Sequence, residues 1–253
     1  MAVAYAVVNQ KGGVGKTTTT VNLAAYLATF GKKILLVDID PQSNATVGVG
    51  VDRSSIRHCL YDVLIDNLPV KDVITNSPIS NLDILPSTPK LAGAEVELVS
   101  VNDRETKLKN AIAQVKDNYE IIIIDCPPSL SLLTVNALAC ADEVIIPIQC
   151  EYYALEGISQ LTHTLGLVRE GLNPALKICG IVLTMYDPRT LLSAQVAEEA
   201  RKYFGAKVFK TVIPRNIRLA EAPSFGQPII FYDPGSKGAE AYENLCREVL
   251  SNG

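Results

Sequence analysis

The chain has no C-x-x-C pair, no apolar run approaching the ~18 residues that span a bilayer, and no surplus of positive charge. Each absence excludes something. The six cysteines (Cys59, Cys126, Cys140, Cys150, Cys179 and Cys246) fall mostly inside apolar segments. A thiol there behaves as a small buried hydrophobe rather than a metal ligand or half of a bridge. A reduced, cytoplasmic protein without structural zinc is expected. The only two histidines, His58 and His163, do not cluster in sequence with other likely ligands and are expected to be structural. The opening Met1–Val8 has no basic residues ahead of its apolar run and no small-residue cleavage pattern, so it does not read as a signal peptide. A net charge of −4 excludes a general electrostatic hold on nucleic acid. Any such contact has to come from a local patch.

What is present suits a globular enzyme. Apolar residues make up 48% and charged residues 20% of 253, without low-complexity segments or repeats. α/β folds reach this size as one unit, so a single domain over residues 1–253 is expected.

Eight short apolar runs rich in β-branched residues predict strands: Val3–Val8, Ile34–Val37, Leu82–Leu85, Ile121–Ile124, Val144–Ile148, Ile178–Leu183, Val208–Ile213 and Ile229–Tyr232. They are continuous rather than alternating, the pattern of strands covered on both faces. Apolar residues at helical spacing predict helices over Thr17–Phe30, Thr106–Val115, Ser129–Cys140, Leu155–Arg169, Ala194–Phe204 and Ala239–Leu250, with Gly31 a natural stop for the first. Strands alternating with helices imply right-handed crossovers and a doubly wound, mostly parallel α/β sheet flanked by helices. Strand order cannot be read from these patterns.

Ligands of such sheets bind beyond the carboxyl ends of the strands, so the residues just past each strand end carry the chemistry. After the first strand come Gly12, Gly13, Val14, Gly15, Lys16, Thr17 and Thr18, with Lys11 ahead of them. The glycines let the backbone curl its N–H groups inward around phosphate oxygens. Lys16 can place its ammonium on the β/γ phosphates, and Thr17 can give its hydroxyl to Mg²⁺. A helix starting near Lys16 adds the positive end of its dipole. The common G-x-x-x-x-G-K-[ST] loop requires glycine where Gln10 stands, so this is a variant loop. A plain Gly-rich turn is the bland alternative, and Gly-Lys-Thr between a buried strand and a helix argues against it.

Asp125 ends a run of four isoleucines, the usual setting for an aspartate that holds magnesium through a water. Asp40 comes just after the second strand, within reach of a γ-phosphate. An isolated aspartate after a strand is most often a turn former. Two of them on strands able to flank a phosphate loop point to a magnesium site of Thr17, Asp40 and Asp125. Asp38 is a weaker candidate that orients its neighbours.

At these residues the sequence resembles the ParA family of partition ATPases, and most closely its chromosomal Soj branch. The carrying stretches are Lys11–Thr17, Asp38–Gln42, Asp125–Pro128, Gln149–Gly157 and Val212–Pro223. The resemblance implies a deviant P-loop NTPase fold and an ATP-sandwich homodimer. In it Lys11 would reach the phosphates of the partner's nucleotide, and Lys11, Lys16 and Asp40 would be the catalytic residues. Asp40 would position or deprotonate the attacking water. Pro214, Arg215 and Asn216 would contact the adenine of ATP. A second cation near the γ-phosphate fits the charge that develops in phosphoryl transfer.

The same resemblance implies non-specific binding to double-stranded DNA by the ATP dimer, nucleoid association in the cytoplasm, and a ParB-type centromere-binding partner that stimulates hydrolysis. Residues 186–218 hold seven basic side chains against three acidic ones. Basic runs are usually solvated faces, but Arg189 and Arg218 match the DNA-contacting positions of Soj-like proteins.

Three rivals use related machinery. A membrane-cycling ATPase of the MinD type needs a terminal amphipathic helix flanked by cations. The stretch Glu240–Gly253 is acidic and reads instead as a closing helix, so no membrane partner is expected. An iron–sulfur ATPase would need cysteines between subunits, and Cys126 lies too close to Asp125 for that motif. A metabolic ligase would need a small-substrate constellation, which the sequence does not display.

Overall fold

The computed structural model describes residues 2–151 and 156–252. Tyr152, Tyr153, Ala154 and Leu155 lie outside the described residues; they belong to the Soj-like stretch 149–157, and Leu155 is the first residue of a predicted helix.

Eight strands form one sheet: β1 (Val3–Val7), β2 (Ile34–Asp38), β3 (Thr75–Asn76), β4 (Leu82–Leu85), β5 (Ile121–Asp125), β6 (Glu143–Gln149), β7 (Lys177–Tyr186) and β8 (Val208–Pro214). Their order is β3-β4-β2-β5-β1-β6-β7-β8. All neighbours pair in parallel except β3, which runs antiparallel to β4. The helices are α1 (Lys16–Thr29), α2 (Asn44–Gly48), α3 (Leu60–Leu64), α4 (Ala94–Glu97), α5 (Lys107–Ala113), α6 (Leu132–Cys140), α7 (Glu156–Gly171), α8 (Leu191–Phe204), α9 (Ile217–Glu221), α10 (Ile229–Tyr232) and α11 (Lys237–Asn252).

The continuous apolar runs have the predicted cause. Every residue of β2 and of β5 is buried, because successive side chains enter two separate cores. Ala4, Ala6, Leu35, Val37, Ile122 and Ile124 pack with α5, α6, α7 and α8 on one face. Tyr5, Val7, Leu36 and Ile123 pack with α1 and α11 on the other.

Helix α1 stops where glycine predicts. Gly31 has φ 86°, its N–H donates to Ala28 O at 3.0 Å, and the N–H of Lys32 reaches Leu27 O at 3.1 Å, which together make a Schellman cap. Helix α11 closes the second core through Tyr242, Leu245, Cys246 and Val249. Tyr26 Oη donates to Ala239 O at 2.8 Å, tying α11 to α1.

One predicted strand is corrected. Ile229–Tyr232 is the single-turn helix α10, closed by N–H bonds from Tyr232 to Pro228 O (3.1 Å) and from Asp233 to Ile229 O (2.9 Å). Pro228 has no N–H to offer a ladder, and the N–H of Ile229 goes to Asn22 Oδ1 at 2.7 Å. A short β-branched run is ambiguous between strand and buried helical turn, and docking on α1 decides it. The small edge strand β3 has no apolar signal; both of its residues are exposed.

Candidate nucleotide-binding site

The loop after β1 is anchored before it curls. Asn9, 3% exposed, donates from Nδ2 to Pro147 O at 2.7 Å and accepts the N–H of Lys11 at 3.0 Å. Gly13 (φ 74°) and Gly15 (φ 87°) take left-handed conformations that side chains rarely adopt. Thr184, at the end of β7, supports the curl from below by donating its hydroxyl to Val14 O at 2.8 Å. The Val14 side chain is buried, so only its backbone is available to a ligand. Helix α1 then begins at Lys16 with no side-chain cap, which leaves its first N–H groups free to meet an anion.

Lys16 is 6% exposed and donates from Nζ to Lys11 O at 3.0 Å. Burial pulls its pKa down, while the carboxylates of Asp125 and Asp40 pull the other way. Thr17 donates its hydroxyl to Asp125 Oδ2, and Thr20 donates to Asp125 Oδ1, both at 2.8 Å. Asp125 therefore orients the hydroxyl that the sequence marks for magnesium. Burial drives its carboxyl up to about 8, with the neighbouring Asp38 adding to the shift and the two threonine hydroxyls opposing it. Asp38, also fully buried, is raised to about 6 for the same first reason. A cationic ligand would relieve both carboxylates.

Asp40 joins Gly12, Gly13, Gly15, Lys16, Thr17 and Thr18 around a cleft of about 310 Å³. Lys11 is not among the residues lining it. A neighbouring cavity of about 410 Å³ is lined by Gly15, Thr18, Met185, Pro214, Arg215 and Asn216. The predicted phosphate loop and the predicted base-contacting residues thus adjoin, with Gly15, Thr18 and Met185 shared between the two spaces. Arg215 Nη2 lies 2.8 Å from Glu151 Oε1. Asn216 caps α9 by accepting the N–H of Arg218 at 2.8 Å.

The residues fit a magnesium nucleotide. Hydroxyl and carboxylate oxygens are the donors a hard cation takes, and Mg²⁺ bound with phosphates needs few protein ligands. A dedicated cage is not required; among the described residues no group of three or more His, Cys, Asp or Glu could hold a metal alone. Sequence reasoning missed Met185, whose φ of 52° is an unusual conformation for a non-glycine residue at a ligand site. It also missed Thr184, Gln42 and Asn44. The available signal was position: Thr184 and Met185 stand at the end of β7, and Gln42 and Asn44 lie in the loop and helix start that follow β2.

The predicted basic patch is divided. Arg189 and Arg218 lie just past the carboxyl ends of the adjacent strands β7 and β8. Helix α8 returns across the sheet between these parallel strands, so Arg201, Lys202 and Lys207 lie toward the opposite edge. Both predicted DNA contacts also carry internal counter-ions. Arg189 meets Asp187 through Nη2 at 2.7 Å and Nε at 2.9 Å. Arg218 meets Glu221 at 2.9 Å and Asp233 at 3.2 Å.

A mostly parallel sheet carrying a glycine loop, an uncapped helix, a buried lysine and strand-end aspartates defines a P-loop nucleotide-binding protein of the variant type. A family model described as an AAA domain matches residues 3–178. The chain is 60% identical over 248 residues to the sporulation initiation inhibitor protein Soj of Bacillus subtilis, covering 98% of each chain. It is 54% identical to the chromosome partitioning protein ParA of Myxococcus xanthus, covering 96% of this chain and 86% of that one. Among solved structures, cobyrinic acid a,c-diamide synthase from Mycobacterium smegmatis, with bound ADP and magnesium, superposes with a TM-score of 0.87 at 36% identity, covering 99% and 94%. The chain belongs to the Soj/ParA family of chromosome-partitioning ATPases.

The rival features have structural explanations. Cys126 is fully buried, packed in the first core rather than at a face where two subunits could share a cluster. The apolar face of α11 is covered by α1 and β8. Among the described residues, no helix is long and apolar enough to cross a membrane.

Proposed function

We propose that the protein is an ATP-driven switch for segregating a chromosome or plasmid, built as a single domain. Two copies would sandwich ATP, bind double-stranded DNA without sequence preference, and let go when a ParB-type partner stimulates hydrolysis. The protein would work in the cytoplasm on the nucleoid. The observation that carries the reading is the cleft in which Lys16, Thr17 and Asp40 converge, with Asp125 fixing Thr17 from behind. The partition role of the Soj and ParA relatives supports it.

The residues divide the work. Free N–H groups of Gly12–Thr18 and the Lys16 ammonium hold the β/γ phosphates of ATP. Thr17 presents its oxygen to Mg²⁺, with Asp125 and Asp40 completing the acidic surround; the ion neutralises charge on the phosphates. Asp40 orients the attacking water and takes its proton. Pro214, Arg215 and Asn216 enclose the adenine. Lys11, outside the cleft of its own chain, is available to a partner's nucleotide, which makes hydrolysis depend on dimerisation. Arg189 and Arg218 supply the DNA contacts, and pairing two copies doubles them.

Light scattering and a DNA gel shift on Asp40→Ala, with ATP and with ADP, test this. A stable dimer that retards any DNA with ATP alone is expected. An ATP dimer indifferent to DNA would remove the DNA arm and leave the nucleotide site. Failure to dimerise would remove the sandwich.

A further inference from the structure

Asp40 lies beyond the end of β2, on a loop where a backbone is ordinarily loose, yet its main chain is held on both sides. Its N–H lies 3.2 Å from Asp38 Oδ1. Its carbonyl accepts the hydroxyl of Ser87 at 2.7 Å and the N–H of Ser43 at 2.9 Å. The other Asp38 oxygen accepts both the N–H (2.8 Å) and the hydroxyl (2.7 Å) of Thr46. Thr46 Oγ1 in turn accepts the N–H of Ser87 at 3.1 Å. The ring Asp40–Asp38–Thr46–Ser87 closes on itself across β2, α2 and the loop after β4. Asp38, Thr46 and Ser87 are each 0% exposed.

Such a ring is unfavourable to bury. Polar groups out of water cost stability unless every one is paired, and a paired network in a dry interior is stiff. An apolar trio would join the same segments at lower cost. The ring is made of polar groups, and it encloses the main chain of the residue read as the one that handles the attacking water. The Asp40 carboxylate itself stays lightly used: Oδ1 accepts the N–H of Gln42 at 2.9 Å, and Oδ2 has no partner among the described residues. A fixed backbone with a free carboxylate oxygen suits a group that must meet a water at one place.

We propose that Ser87 and Thr46 are positioning residues for Asp40, holding its backbone so that the carboxylate faces the attacking water. This rests on the reading of Asp40 as the group that handles that water. Misplacement of a reacting group by about 1 Å costs up to ~100-fold in rate. Because aim toward the water counts only in the transition state, the loss falls on kcat and not on nucleotide binding.

The test is single-turnover and steady-state ATP hydrolysis by Ser87→Ala, Thr46→Val, Thr46→Ser and Asp40→Ala, with nucleotide affinity and thermal unfolding measured alongside. Ser87→Ala and Thr46→Val are expected to lower kcat about ten- to a hundred-fold, with KM and ATP affinity unchanged. Thr46→Ser, which keeps the hydroxyl, should retain most of kcat even if Thr46→Val folds poorly. Adding Ser87→Ala to Asp40→Ala should cost nothing further. Wild-type kcat in Ser87→Ala and Thr46→Val, with Asp40→Ala inactive, would overturn the positioning role and leave Asp40 in place. Equal losses of affinity and kcat that Thr46→Ser fails to rescue would mark a merely structural ring and overturn it too. Hydrolysis at the wild-type rate by Asp40→Ala would instead remove the reading on which the proposal stands.

Discussion

Asp38 and Asp125 are register partners at the carboxyl ends of the adjacent parallel strands β2 and β5, and both are fully buried. Val7, the last residue of β1, pairs with Asp125 on its other side. Two carboxyls and the root of the phosphate loop thus stand in a row across three neighbouring strands. Two like charges out of water are unfavourable side by side, and the arrangement makes chemical sense if cations (Lys16 and a magnesium ion) complete it.

Removing the charge while keeping the shape tests that row. Asp125→Asn should retain the fold by circular dichroism. One threonine hydroxyl keeps the amide oxygen as acceptor, the other can accept from the amide NH₂, and the Thr20 hydroxyl also reaches Lys16 O at 3.0 Å. Single-turnover ATP hydrolysis should drop on the order of 100-fold, the usual scale for losing one preorganised electrostatic group. A wild-type rate would take Asp125 out of the site.

Substitutions of Arg218 and of its counter-ion Asp233 should have opposite effects on DNA binding. Arg218→Glu should abolish most ATP-dependent binding, read by fluorescence anisotropy. Asp233→Asn removes an internal competitor and should tighten binding several-fold, roughly what one freed phosphate contact contributes at moderate salt. Arg218→Ala, which removes one contact from each copy of the dimer, should lower the salt slope by about 2. If Asp233→Asn binds DNA no better than wild type, the ion pair does not compete with phosphate.

Asp187 offers a pH test. Bonds from the Arg189 side chain and backbone hold its carboxyl down at about 2. A depressed pKa means that the pair's contribution to stability is present above the ordinary carboxylate range and is lost as pH falls through about 2. Carboxyl NMR should show this midpoint in the wild type. Arg189→Ala should return Asp187 toward ordinary values, and an unmoved midpoint would mean the pair does not form in solution.

Gly180 tests the packing of β7 against its neighbour. A methyl group there would collide with the ring of Phe209, which is itself buried. Gly180→Ala should therefore lower the unfolding free energy by about 1–3 kcal/mol in denaturant titrations, the usual cost of overpacking. Trimming the ring with Phe209→Leu in the same chain should recover part of the loss. If Gly180→Ala is as stable as the wild type, the strand relaxes around the added group.

Much of this was legible in the sequence, because local patterns encode local conformation. Four consecutive isoleucines ending in Asp125 specify a strand covered on both faces, and they form one. Gly12 to Lys16 between a strand and a helix specify a phosphate loop, and Gly31 ends that helix. Ile229–Tyr232 is the exception, since four apolar residues do not distinguish a strand from one helical turn until Asn22 claims the first N–H.

Other features belong to the tertiary structure alone. Only the strand order brings β2, β5 and β1 together, so that residues 38, 125 and the loop at 12–18 converge. Only the return of α8 across the sheet separates Arg201 and Lys202 from Arg189 and Arg218. Thr46 and Ser87, 41 residues apart, meet across a hydrogen bond that no local pattern announces. Sequence spacing determines which residues share a strand or a helix face, since backbone geometry repeats over a few residues. Which elements become neighbours is decided by burying all their apolar faces at once, a property of the whole chain.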